Sequence, residues 1–161
     1  MMQLETLHFG TIEIADDQVI TLPKGLLGFE GLRRYVLIDS DDCFPFRWLQ
    51  SVDTPDLALV VVNPLTFFPD YTVSVHAREV ADIGVKNPND VEILTIVTIP
   101  REMGQMSVNL QGPILINQDN KTAKQLVLTD AEYTVHHYIL PELQRHADRQ
   151  IEPVASAVRL L

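Results

Sequence analysis

The stretch FRWLQSVDTPDLALVVVNP, residues 46–64, decides the fold. Its first part, FRWLQSV, has strand composition and ends in polar residues. A proline-marked acidic turn follows, and then DLALVVVNP, apolar at successive positions. Val60, Val61 and Val62 are β-branched and favour strand over helix. A strand that is apolar on both faces is predicted to be central in its sheet. The connection between the two strands is too short for a crossover helix, which makes the neighbours antiparallel.

The same period of two runs outward along the chain. TLHFGTIEIADDQVITL predicts a hairpin turning at Asp16-Asp17. Pro23, Gly25, Gly28 and Gly31 then break regular structure; the segment lacks the Gly-Lys-Ser/Thr ending of a phosphate loop. RYVLID, VEILTIVTIP and KQLVL read as strands, and MSVNLQGPILIN as two strands bent at Gly112-Pro113. NPLTFFPDY reads as an ordered loop. HAREVADIGV is the one short helix, with Gly84 as its stop. TDAEYTVHHYIL mixes a capping-box pattern at Thr129 and Glu132 with strand-favouring residues, and is read as strand. Eight to ten strands and one short helix predict a mainly β, single-domain antiparallel β-barrel-like fold over residues 1–140. Residues 141–161 form a tail, partly helical or disordered, in which VASAVRLL docks as an amphipathic turn or hangs free.

A chain of 161 residues with 46% hydrophobic residues can bury a real core. No apolar run reaches the length of about 18 residues that a membrane helix needs. No secretion signal is evident, and the single cysteine, Cys43, permits no internal disulfide. Both features fit a cytoplasmic protein. With 12 basic and 22 acidic residues the net charge is −10, which argues against direct nucleic-acid binding and favours basic partners.

No catalytic or metal-binding pattern stands out. The histidines are His8, His76, His136, His137 and His146, none at a metal-ligand spacing. Adjacent residues on a strand point to opposite faces, so His136 and His137 cannot chelate one ion together. No cofactor is implied. What remains are polar residues in apolar context, in three groups: Gln50, Ser51, Asp53 and Asp56; Asn63, Asp70 and Tyr71; and Asn109, Pro113, Ile114 and Asn117. Each has two readings. Asn63 and Asn117 shape turns, and Gln50 and Asn109 satisfy backbone groups at strand ends; or rigid loops on a closed sheet carry a binding surface. Ile114 and Ile116 are either core or an exposed apolar contact.

The pieces LPKGLLGFE, FRWLQSVDTPDLALVVVNP, FPDY, ILTIVTIP, NLQGPILIN and AKQLVL occur in the order found in a known family. Through them the chain resembles the bacterial flagellar assembly factors of the FliW family over most of residues 1–139. The resemblance implies a small barrel without catalysis that binds two proteins in a partner switch. One is flagellin, the filament subunit. The other is CsrA, an RNA-binding translational repressor that the family antagonises allosterically. Two rival readings stay open. One is a small hydrolase using His136 or His137 with a carboxylate; the other is a small-molecule-binding barrel with an apolar cavity.

Overall fold

The computed structural model describes residues 1–102, 105–129, 132–139 and 158–160. Most strands form one sheet: β3 (Ile20–Thr21), β4 (Arg34–Ile38), β5 (Arg47–Ser51), β6 (Ala58–Val62), β8 (Val91–Thr98), β10 (Ile114–Asn117) and β11 (Thr122–Gln125). Their order is β10-β11-β3-β4-β5-β6-β8, and β8 also pairs with β10, so these strands close into a seven-stranded barrel. Closure leaves no free edge along the ring. The neighbours are antiparallel except at one seam, where β11 and β3 pair in parallel through Thr122 and Thr21. Segments this far apart in sequence need no local crossover, so short connections did not forbid that pairing.

The central strands are apolar on both faces because there are two cores to fill. Val61 of β6, Leu94 of β8 and Ile114 and Ile116 of β10 belong to the barrel interior with Tyr35, Leu49 and Ile20. Their immediate neighbours Val62, Ile93 and Leu115 belong to a second cluster with Phe67, Tyr71, Val73, Val80, Leu110 and Ile139. Alternation along the pleat sends successive side chains to opposite faces, so each strand serves both. Burying one such side chain contributes about 1.5–3 kcal/mol. A third, smaller cluster of Leu4, Ile14 and Val36 lies under the first hairpin.

That hairpin is β1 (Met2–Thr6) with β2 (Gly10–Ile14). It turns through Leu7, His8 and Phe9, not at Asp16-Asp17, which sits in a short 3-10 turn. The apolar turn residues hid the true hairpin from a reading based on turn chemistry. The remaining short strands are β7 (Val73–Val75), β9 (Ser107–Val108), β12 (His137–Tyr138) and β13 (Val158–Leu160). The described residues hold more strands than the eight to ten expected, since β1, β7 and β13 lie in stretches not read as strands.

The short helix α1 (Ala77–Val80) runs into a 3-10 turn at Ala81–Ile83 and stops at Gly84, whose φ is 73°. Asn117 and Asn120 donate to the Ile83 carbonyl at 2.8 and 3.0 Å, and Lys124 reaches Asp82, tying this segment to the barrel. The partly helical tail expected from residue 141 lies outside the described residues up to residue 157. At the far end, Val158–Leu160 forms a strand parallel to β7 and not an amphipathic turn.

Candidate partner-binding surface

The loop between β5 and β6 is built around one buried side chain. Gln50 is 0% exposed. Its Nε2 lies 3.1 Å from the Ser51 carbonyl, 3.5 Å from Thr54, 3.2 Å from Pro55 and 3.1 Å from Leu57. Two amide hydrogens shared among four carbonyls tie the whole loop to its centre. Ser51 Oγ accepts from the Thr54 N–H at 3.0 Å, and the Ser51 N–H donates to Leu57 at 2.9 Å. The tip of the first hairpin clamps the loop from outside, with the Leu7 N–H donating to Pro55 at 2.9 Å. His8 at that tip stacks on Trp48 and Phe9 meets it edge to face, each with ring centroids 5.5 Å away. Trp48 and Gln50 share the outer face of β5, which explains a buried glutamine there: the hairpin roofs it.

What this scaffold exposes is acid. Asp53 and Asp56 both point to solvent. Asp53 pairs with Arg34 of β4, whose guanidinium holds its proton above its ordinary value, first through that hydrogen bond and then through the carboxylate charge. Among the described residues Asp56 has no ion-pair partner.

The other candidates divide sharply. Asn63 and Asp70 are exposed. Asn63 Oδ1 also accepts from the Leu65 N–H at 2.9 Å, capping the 3-10 turn at Pro64–Thr66. Tyr71 is buried, and its hydroxyl donates to the Leu110 carbonyl at 2.7 Å. Burial, and secondarily Tyr133 beside it, pushes the Tyr71 phenol well above its ordinary pKa. Asn109 is half-buried and accepts from the N–H groups of Gln111 and Gly112 at 3.1 and 2.8 Å. Pro113 is buried, Ile114 and Ile116 face the barrel interior, and Asn117 anchors Ile83.

Gln50, Ser51, Tyr71, Pro113, Ile114 and Asn117 therefore present no side chain to a partner in this conformation. For each of them burial selects one of the two readings: Pro113 and Ile114 pack, and the four polar residues bond backbone. A polar residue between apolar strands is as well suited to satisfying buried backbone as to meeting a ligand, and here burial decides for the former. The exposed candidates also do not converge. The Asp53 loop and Asn63 sit at opposite ends of β6, whose five residues at about 3.3 Å each separate them by roughly 13–17 Å.

Sequence reasoning missed the hairpin tip. Leu7 is 67% exposed beside the acidic loop, above the His8–Trp48 stack. The apolar tip LHF inside a strand pattern was the available signal. On the hydrolase reading, Ser107 Oγ lies 3.2 Å from His136 Nδ1, yet Ser107 is buried and no carboxylate joins His136 among the described residues. No three His, Cys, Asp or Glu side chains among the described residues are grouped to hold a metal. Among the described residues no helix is long and apolar enough to cross a membrane.

The fold and surface define a small closed β-barrel that displays an ordered acidic loop. A family profile described as FliW protein matches residues 3–139. The flagellar assembly factor FliW of Alkaliphilus metalliredigens is 38% identical over 161 residues, covering 98% of this chain and 99% of its own. That of Natranaerobius thermophilus is 40% identical over 137 residues, covering 84% and 91%. A crystal structure of the flagellar assembly factor FliW superposes with a TM-score of 0.81 at 30% identity, covering 87% of this chain and 98% of that one. The chain belongs to the FliW family of flagellar assembly factors, which is not a known class of enzyme. Its role lies in flagellar assembly.

Proposed function

We propose that this chain is a non-catalytic, cytoplasmic regulator that binds flagellin and sequesters the translational repressor CsrA. Free flagellin would occupy it and leave CsrA active; export of flagellin would release it to hold CsrA and let translation resume. The observation that carries the reading is the acidic loop held on the buried Gln50 amide, on a chain of net charge −10. An RNA-binding repressor carries basic surface, and an acidic partner meets it with complementary charge. A loop already ordered loses little entropy on binding. Asp53, Asp56, Asn63 and Asp70 are the exposed residues assigned to contact, with half-buried Asn109 beside Gln111 at a second patch.

The test is competition. Tagged chain is loaded with CsrA from the same organism, and flagellin is titrated in. Displacement of CsrA supports the switch. Binding of neither protein removes the reading and leaves only the assembly role.

A further inference from the structure

Tyr35 of β4 is 0% exposed and belongs to the barrel interior with Ile20, Leu22, Leu26, Leu49 and Leu94. Its hydroxyl has no hydrogen-bond partner among the described residues. Burial raises the phenol above its ordinary pKa, so the group stays protonated and keeps an O–H to donate. Phenylalanine would fill the same place without an unpaired polar group. Buried hydroxyls are as a rule bonded, to protein or to ordered water.

The sheet register sets one polar neighbour on the same inner face. Ser51 of β5 stands directly opposite Tyr35 and is also 0% exposed. Its Oγ accepts from the Thr54 N–H at 3.0 Å. A hydroxyl has one hydrogen and two lone pairs, so Ser51 keeps its own O–H and one lone pair. Opposite Tyr35 on the other side, Ile20 of β3 is apolar. The two hydroxyls thus share one face of the sheet, and they are not bonded to each other. Gln50 Oε1, also buried without a partner, belongs to the outer face, where its opposite residues Val36 and Ala58 offer no polar side chain. The surroundings limit the size of any occupant. Leu22, Leu26, Leu49, Leu94 and Ile114 of the same cluster are each 1% exposed, which leaves no open route for an organic ligand.

We propose that the barrel interior holds one buried water molecule, which bridges the Tyr35 and Ser51 hydroxyls. The water accepts the phenol O–H and is bonded by Ser51 on its other side. Because Ser51 Oγ also receives the Thr54 N–H, this bridge ties the barrel core to the root of the acidic loop. Gln50 holds that loop from the outer face; Tyr35, through the water, holds it from the inner one. Tyr35 is thereby a positioning residue for Asp53 and Asp56. The site stands whichever protein the loop takes.

The test begins with a crystal of the unmodified chain at a resolution that shows ordered water. The expected peak lies about 2.7–3.0 Å from both Tyr35 Oη and Ser51 Oγ. An interior without it, or a hydroxyl of Tyr35 bonded directly to Ser51, overturns the proposal, and this map decides the matter even where a variant fails to fold. Tyr35→Phe removes only the hydroxyl and lowers Tm by about 2–4 °C. Tyr35→Phe with Ser51→Ala costs clearly less than the two single losses added, because each empties the same bridge. Hydrogen exchange reads the positioning role: in Tyr35→Phe the Thr54 amide exchanges at least about threefold faster relative to the amides of β8. A loss of general stability alone would speed both alike. Tyr35→Phe melting at or above the parent, additive losses, or an unchanged ratio of Thr54 to β8 exchange each overturn the proposal.

Discussion

Gln50 is the side chain whose replacement tests most of this reasoning. Gln50→Leu removes the amide donor from four carbonyls. Three of these keep another donor: Thr54 accepts from Leu57, Pro55 from Leu7 and Leu57 from Ser51. The loss is therefore about two hydrogen bonds at about 1 kcal/mol each. It is partly offset because Gln50 Oε1, buried without a partner, disappears with it. The net cost is about 1 kcal/mol, or about 2–4 °C in Tm for a domain of this size. Gln50→Glu is far worse at neutral pH. Its carboxylate would face carbonyl oxygens with no donor, and full burial raises a carboxyl pKa by about 3–5 units. At about 1.4 kcal/mol per unit this is about 4–7 kcal/mol. The sign follows from the folded pKa lying above the unfolded one. Below about pH 4 both states are protonated and the penalty is absent; it grows as pH rises, at about 1.4 kcal/mol per pH unit, until the folded pKa is passed. Thermal melts of parent, Gln50→Leu and Gln50→Glu from pH 4.5 to 7.5 measure this. A gap between Gln50→Glu and the parent that does not widen with pH would refute the carbonyl ring as the loop's anchor.

Other substitutions probe separate parts of the chain. Asp56→Lys with Asp53→Lys lowers CsrA affinity about tenfold at low salt, an effect that shrinks as salt is added, while the melting temperature barely moves; surface-plasmon titration at several ionic strengths reads both. Tyr71→Phe loses a buried hydrogen bond and costs about 1–2 kcal/mol by urea titration. Because the Tyr71 phenol is raised in the folded state, its contribution holds below about pH 10 and fades as pH climbs further, so Tyr71→Phe flattens the alkaline fall in stability. Gly25→Ala is severely destabilising, since its Cβ would stand 2.6 Å from Glu30 Cα at a φ of 66°; Gly28→Ala, at φ 88° with nothing within 4 Å, costs only the backbone strain of about 1–2 kcal/mol. Equal melting temperatures for the two would contradict the close approach at Gly25.

The barrel was legible because its strands carry enough alternation to count. RYVLI, RWLQS and VEILTIVT are each five residues or longer, and all three are strands. Even the two-residue strands β3 and β9 fall in stretches read as strands, whereas β7, in the stretch after the FFPDY loop, and β13, in the tail, do not. The first hairpin was misplaced because Leu7, His8 and Phe9 do not look like a turn, yet their rings gain more by packing on Trp48 than by standing in water. The site was less legible than the fold. Gln50 and Asp53 look alike in sequence, polar residues beside a proline turn, but one holds the loop and the other is displayed by it. Only the hairpin roof, which covers Trp48 and Gln50 while Asp53 stays exposed, separates them, and that roof comes from a hairpin about forty residues earlier in the chain.

The same roof makes the two loop aspartates unequal. Asp53 lies over β4, where Arg34 already meets its charge, so a basic partner must either share that carboxylate or displace the guanidinium. Asp56 lies toward β6, exposed and in no ion pair among the described residues. An exposed pair such as Arg34–Asp53 holds the loop only weakly, so its chief effect is on the field that the loop projects. Removing Arg34 would add net negative charge at the surface proposed for contact. The attraction of the loop is thus set as much by the one arginine beside it as by the acids that the sequence displays.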